Sequence, residues 1–252
     1  DIPYLQVEST RARKRLVGPW ARFATAAEAA SDAAHTLFYF THRDAETLRR
    51  DAPDGQLLRH LPPFLDRVGL PEESTRAGPM LSVGMMREGD KLNSDTLIAR
   101  TLAARPSSLD WELDIAGDGP ARAAVEAMIE PFGKRVRLHG TLDPTALAKL
   151  YSQASLLLWP GVNEAFGLTY LEAQAAGVPI VAQDRPGVRD VVYAPLADIN
   201  AGPEALAAEV SNLTRNPKVS REIGEKARAA MAERHLATSA TRTLNQTLEA
   251  LT

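Results

Sequence analysis

The sequence predicts an α/β protein built on a doubly wound parallel sheet. Two observations carry that reading. From Met80 onward, short apolar runs alternate with segments of helical spacing, and strands alternating with helices specify a parallel sheet. The turns that follow those runs are also where the chemistry gathers: Gly84 to Lys91, Gly117-Asp118-Gly119, His139-Gly140-Thr141 and Pro160 to Glu164. Ligands of such sheets bind beyond the carboxyl ends of the strands, so four turns converge on one functional edge.

Taken in order, residues 2–8 read as a strand. Trp20 to Ala34 reads as a helix, with Phe23, Ala26, Ala27 and Ala30 along one side. Residues 36–40 follow as a strand and 44–50 as a short helix. Pro62 and Pro63 rule out regular structure around His60 to Phe64. Met80 to Gly84 reads as a strand and Ser94 to Ala104 as a helix. Trp111 to Ala116 is a strand, and Pro120 to Glu130 a helix with proline in its first turn. Residues 136–138 form a strand, and Asp143-Pro144 caps a helix reaching Gln153. Residues 155–159 read as a strand, 165–176 as a helix and 178–182 as a strand. From Pro203 the chain is helical and polar, with a break near Asn216-Pro217. The predicted division is a first piece at 1–66, a Pro/Gly/Glu/Ser-rich linker at 67–78, a binding domain at 79–235 and a C-terminal helix at 236–252.

Composition narrows the classes. A formal charge of −3 gives no sign of a nucleic-acid binder. The absence of cysteine excludes disulfides, thiolate metal sites and a cysteine nucleophile. No apolar run is long enough to span a bilayer, and a cytoplasmic location is the default expectation. The opening Ile2-Pro3-Tyr4-Leu5-Gln6-Val7 has no polar lead-in, which suggests a larger protein lacking its front part.

The most informative stretch is Glu164-Ala165-Phe166-Gly167-Leu168-Thr169-Tyr170-Leu171-Glu172. Its pattern puts one carboxylate at a helix entrance and a second about two turns inside. The backbone N–H groups of Phe166, Gly167 and Leu168 lie between them, at the positive end of the helix dipole, where phosphate is favoured. Two carboxylates around a phosphate cradle suit a ligand with phosphates in its middle and hydroxyl-rich sugars at both ends. A nucleotide-sugar has that shape.

Ile115-Ala116-Gly117-Asp118-Gly119-Pro120, Leu138-His139-Gly140-Thr141-Leu142, Trp159-Pro160 with the two glutamates, and Ala175-Ala176-Gly177-Val178-Pro179 follow one another in an order that resembles the retaining glycosyltransferases of family four. The likeness runs from about Met80 to Val192 and is weak on either side. It implies the GT-B fold: two Rossmann-like domains, with the sugar donor held mainly by the C-terminal one. It further implies that the amides of Phe166, Gly167 and Leu168 hold the donor diphosphate, that Glu172 accepts hydrogen bonds from the ribose, and that Glu164 faces the transferred sugar and stabilises positive charge at its anomeric carbon. Lys91 resembles the family's diphosphate lysine. Gly140 to Leu142 frame the base, with Gly117 and Asp118 on the same edge. The family's arginine normally follows the glycine of the preceding strand directly; here Met85-Met86 intervene and the arginine is Arg87. The glycine pair and glutamate expected after Ala182 are replaced by Pro186-Gly187-Val188-Arg189-Asp190. Residues 1–66 resemble the tail of the acceptor-side domain, so the missing N-terminal domain is an expected partner beside the nucleotide-sugar donor and an unknown acceptor.

The expected reaction moves a sugar with retention of configuration, without a metal or other cofactor, the leaving diphosphate being stabilised by preorganised amides and Lys91. A non-catalytic nucleotide-sugar-binding module completed by a partner chain is the alternative. An isomerase acting on nucleotide-sugars is less favoured. An oxidoreductase is set aside, because Gly117-Asp118-Gly119 lacks the third glycine of a dinucleotide fingerprint. Asp110, Glu112 and Asp114 mimic a metal-binding carboxylate motif but fall at the wrong end of their strand. His139 reads as a candidate loop residue near the site. Arg11, Arg13, Lys14 and Arg15 form a basic cluster, by default a solvated face, with peripheral contact to anionic lipid as the minority reading.

Overall fold

The computed structural model describes residues 5–7, 21–106 and 110–251. The basic cluster at 11–15 and Trp20 lie outside the described residues. The chain forms two compact units: one of the described residues up to Asp66 together with those from Arg234, the other of Arg67–Glu233.

The second unit is organised by what its strands bury. Strands β4 (Met80–Val83), β5 (Leu113–Ala116), β6 (Val136–Gly140), β7 (Leu157–Leu158) and β8 (Ile180–Val181) form a parallel sheet in the order β6-β5-β4-β7-β8. Its central strands carry continuous apolar runs rather than alternating ones, as expected when helices cover both faces; Leu81, Leu113, Ile115, Leu157, Leu158 and Val181 are buried. The layers are α3 (Asp90–Ala103), α4 (Arg122–Ile129), α5 (Pro144–Tyr151), α6 (Leu168–Ala175), α7 (Gly202–Arg215) and α8 (Pro217–Arg234). Asp143 caps α5, its carboxylate accepting from the Ala146 N–H at 2.8 Å, with Pro144 in the first turn. None of these helices is long and apolar enough to cross a membrane.

The carboxyl end of α6 is clamped. The Ser74 N–H donates to the Ala176 carbonyl at 2.7 Å, Arg76 to the Gly177 carbonyl at 3.0 Å, and Arg228 to the Ala175 carbonyl. These donors satisfy carbonyls that a helix end otherwise leaves open, and two guanidiniums suit the negative end of its dipole. Helix α8 crosses so closely that a Cβ on Gly224 would overlap the Gly177 carbonyl.

In the other unit, β1 (Leu5–Val7), β2 (Thr36–Tyr39) and β3 (Leu57–His60) form a parallel sheet in that order, with α1 (Ala21–Ala33), α2 (His42–Asp51) and α9 (Ala237–Glu249). Thr41 caps α2, accepting from the Asp44 N–H while its hydroxyl donates to the Asp44 carboxylate at 2.7 Å. Helix α9 is held by a cluster of Phe38, Leu61 and Ala240. Beside it, the buried His235 donates from Nδ1 to the Pro63 carbonyl at 2.5 Å. Burial holds that imidazole below its ordinary pKa.

Three boundaries differ from the sequence reading. Residues 57–60 are a strand, because the prolines at 62 and 63 come just after its last ladder partner, Tyr39↔His60. Helix α3 begins at Asp90, not Ser94, so Lys91 sits in a first helical turn rather than in a loop. Helix α6 begins at Leu168, so Glu164 lies in the loop ahead of it and Glu172 about one turn inside.

Candidate functional site

A crevice lies where the winding reverses. The chain leaves β4 towards β5 on one side and leaves β7 towards β8 on the other, so the carboxyl ends of β4 and β7 flank the switch point. The loops after both strands meet there.

Trp159 follows β7 and is almost wholly buried. Its indole N–H donates to Glu164 Oε1 at 3.1 Å. Lys91 Nζ donates to the same oxygen and stands 5.2 Å from the Trp159 ring centroid. The carboxylate is therefore oriented by an ammonium and an indole, both from well-packed elements. The rest of the loop is fastened to the start of α3: the Val162 N–H donates to Ser94 Oγ at 3.1 Å, and Asn163 Nδ2 to Asp90 Oδ2 at 2.7 Å. From below, Tyr170 donates its hydroxyl to the Trp159 carbonyl at 3.0 Å. One turn along α3, Asp95 is 7% exposed and its Oδ2 has no hydrogen-bond partner. Burial pushes its carboxyl pKa up to about 7, against the opposing pull of Lys91.

The second carboxylate sits on α6. Tyr151 donates its hydroxyl to Glu172 Oε2 at 2.9 Å, and Thr169 Oγ1 is 3.0 Å from the same phenol oxygen. Burial raises the Glu172 pKa, while the Tyr151 bond works against that rise. Between the two glutamates, Gly167 caps α6, and the N–H groups of Gly167 and Leu168 have no acceptor among the described residues.

The glycine turns frame the far side. The Gly117 N–H donates to the Gly140 carbonyl at 2.8 Å and the Met86 N–H to the Asp118 carbonyl at 3.0 Å. A Cβ on Gly117 would overlap the Gly84 carbonyl, and φ is +140° there, so only glycine lets these turns close. The Asp118 carboxylate accepts from the Gly119 N–H at 2.7 Å and from Arg122 at 2.8 Å, which holds it below the usual carboxylate range.

The structure thus brings Lys91 against Glu164 and joins Gly117, Asp118 and Gly140 in one framework. Phe166, Gly167 and Leu168 lead into α6, and Leu142 is half-buried between β6 and α5. Arg87 is exposed, and its guanidinium has no partner among the described residues. His139 belongs to β6, where its Nε2 lies 2.9 Å from Asp114 Oδ1; Arg137 reaches that same oxygen at 2.8 Å. That assigns Asp114 to holding the sheet. Sequence reasoning did not single out Trp159, Ser94 or Tyr151 as site residues. A tryptophan ending an aliphatic strand carries an N–H that needs a partner when buried, which was the available signal for Trp159. Ser94 and Tyr151 carried none.

Parallel sheets in both units, with two carboxylates and a lysine on one sheet's edge, define an α/β protein of the GT-B type. The chain belongs to the family of glycosyl transferases group 1, whose family model matches residues 80–216, more than half of the chain. It is 37% identical over 117 residues to the GDP-mannose-dependent alpha-mannosyltransferase of Mycolicibacterium smegmatis, covering 44% of this chain and 29% of that protein. It is 29% identical over 155 residues to the 2-deoxystreptamine glucosyltransferase of Streptomyces kanamyceticus, covering 60% of this chain and 38% of that one. The chain spans about a third of the length of the curated relatives it matches. Among solved structures, sucrose-phosphate synthase from Thermosynechococcus elongatus superposes with a TM-score of 0.77 at 20% identity, over 98% of this chain and 67% of that one. Anabaena HepE in complex with UDP and glucose gives 0.77 at 16% identity, over 98% and 72%.

Proposed function

We propose that this chain carries the donor site of a retaining, metal-independent glycosyltransferase that moves a sugar from a nucleoside-diphosphate sugar to an acceptor. The observation that carries the reading is the placement of Glu164, Lys91 and the unpaired amides of Gly167 and Leu168 around one switch-point crevice. The diphosphate is received by those amides, by Phe166 and by Lys91, which leaves Glu164 to bind it. Negative charge developing on the leaving group meets fixed N–H dipoles that need no reorganisation. Glu164, still held by Trp159, turns towards the sugar and stabilises positive charge at the anomeric carbon. The acceptor hydroxyl attacks from the face the diphosphate leaves. Glu172 accepts from the ribose hydroxyls, and the turns at Gly117 and Gly140 border the base. The relatives support a nucleotide-sugar donor, since one is described as GDP-mannose-dependent and a structural neighbour was captured with UDP and glucose. A non-catalytic donor-binding module is the second reading, favoured by the share of its relatives' length that the chain spans.

Calorimetric titration of the chain with UDP, GDP and ADP tests the reading, with Glu172→Ala as control. Saturable binding of one nucleotide, weakened by the substitution, is the expected result. A folded chain that binds none of them, or binds equally well without Glu172, contradicts it. Transfer assayed with the same nucleotide's sugars then separates enzyme from binding module.

A further inference from the structure

We infer that Tyr151 is a positioning residue for the donor's ribose: with Thr169 it forms a buried hydroxyl relay that fixes Glu172 so that one carboxylate oxygen faces the incoming diol. The inference rests on the donor-site reading and deepens it at one contact.

Tyr151 ends α5 and is that helix's buried residue, although the rest of the helix is largely exposed. Its phenol lies within hydrogen-bond distance of two side chains, both on α6: Glu172 Oε2 and Thr169 Oγ1. An ionised carboxylate only accepts, and a phenol has one proton. The direction of the relay follows: Tyr151 donates to Glu172, and Thr169 donates to the Tyr151 oxygen. Thr169 and Glu172 are three residues apart and share a helix face, so α6 presents both to one phenol. Glu172 Oε1 has no partner among the described residues. The last torsion of a glutamate is otherwise broad, so the carboxylate would sample many orientations without this tether. The relay also donates a proton-sharing bond to a group that burial pushes towards its neutral form. A neutral glutamic acid would present a donor where the ribose hydroxyls need an acceptor.

A phenol that merely filled the core would leave sugar recognition intact. The test therefore reads a ratio. For whichever of UDP, GDP and ADP binds the full chain, Kd is measured beside that of its 2′,3′-dideoxy counterpart, in the wild type, Tyr151→Phe, Thr169→Val and Glu172→Ala. Loss of a hydrogen bond to a charged group corresponds to about tenfold. The ribose-over-dideoxyribose preference is expected to fall about tenfold in Tyr151→Phe and less in Thr169→Val, with dideoxynucleotide binding unchanged in both. Should Tyr151→Phe fail to fold, Thr169→Val alone carries the test. A preference abolished by Glu172→Ala but untouched by Tyr151→Phe, or by Thr169→Val where that stands alone, overturns the inference and leaves the donor site standing. A preference that Glu172→Ala does not change overturns both.

Discussion

Glu164→Gln should tighten the binding of a bare nucleoside diphosphate. The perturbation removes one charge and keeps the shape of the side chain. In the structure Lys91 Nζ is bound to Glu164 rather than open to a phosphate. The side chains of the pair are 23% and 11% exposed, so it lies between bulk water and a dry interior. Two unit charges about 4 Å apart at an effective dielectric near 20 attract by about 4 kcal/mol. Desolvation cancels most of that for such a pair, and partly exposed ion pairs retain about 1 kcal/mol net. A diphosphate recruiting Lys91 gives up that amount, so removing the carboxylate's charge should lower Kd about fivefold. Repulsion between carboxylate and phosphate acts with the same sign. Lys91→Met should do the opposite and raise Kd by about tenfold or more. Trp159 touches both side chains, so its fluorescence reports the exchange alongside calorimetry. Weaker binding by Glu164→Gln, or no change, would refute the claim that Glu164 holds Lys91 back from the phosphate.

Asp95→Asn should stabilise the fold in a pH-dependent way. Its native pKa of about 7 exceeds the model value of 3.8, so the native state keeps a proton that the unfolded chain has released. Stability is full below pH 4 and is lost as pH rises towards 7, by at most about 4 kcal/mol. The asparagine should therefore gain about 2 kcal/mol at pH 8, after the cost of its own buried amide, and little at pH 4; urea melts at both values check this. Gly117→Ala should cost more than about 3 kcal/mol through its clash with the Gly84 carbonyl, and a near-normal melting temperature would contradict that packing. Tyr170→Phe leaves the Trp159 carbonyl without its donor; a loss of about 1–3 kcal/mol is expected, with looser nucleotide binding measured in the same samples.

Much of this was legible in the sequence, and the failures have physical causes. The alternation from Met80 to Val181 and the convergence of its turns follow from continuous apolar runs, which report burial directly. The start of α3 was hidden because its first turn has no capping side chain: Gly89 precedes it, and the Asp90 carboxylate binds Asn163 instead. Ser94, which looks like a cap, lies inside the helix and accepts from Val162. The start of α6 was obscured in the same way by a glycine. Lys91 and Glu164 are 73 residues apart, and no local pattern announces their contact. Nor does the amphipathic pattern of α9 say which sheet it covers; only its cluster with Phe38 and Leu61 does.

The clamp on α6 has a consequence for the order in which the molecule can be made. Its two guanidiniums come from residues 76 and 228, which bracket the second unit in sequence. A ribosome that has delivered the whole sheet has not yet supplied Arg228 or Gly224. Until it does, the helix bearing Glu172 has an unfinished end. Domains generally fold as units during synthesis, and here the unit closes only with its last long helix. The nucleotide edge, central in sequence, is therefore among the last parts to become fixed, and a chain halted before residue 228 would contain every residue of the crevice without holding its shape.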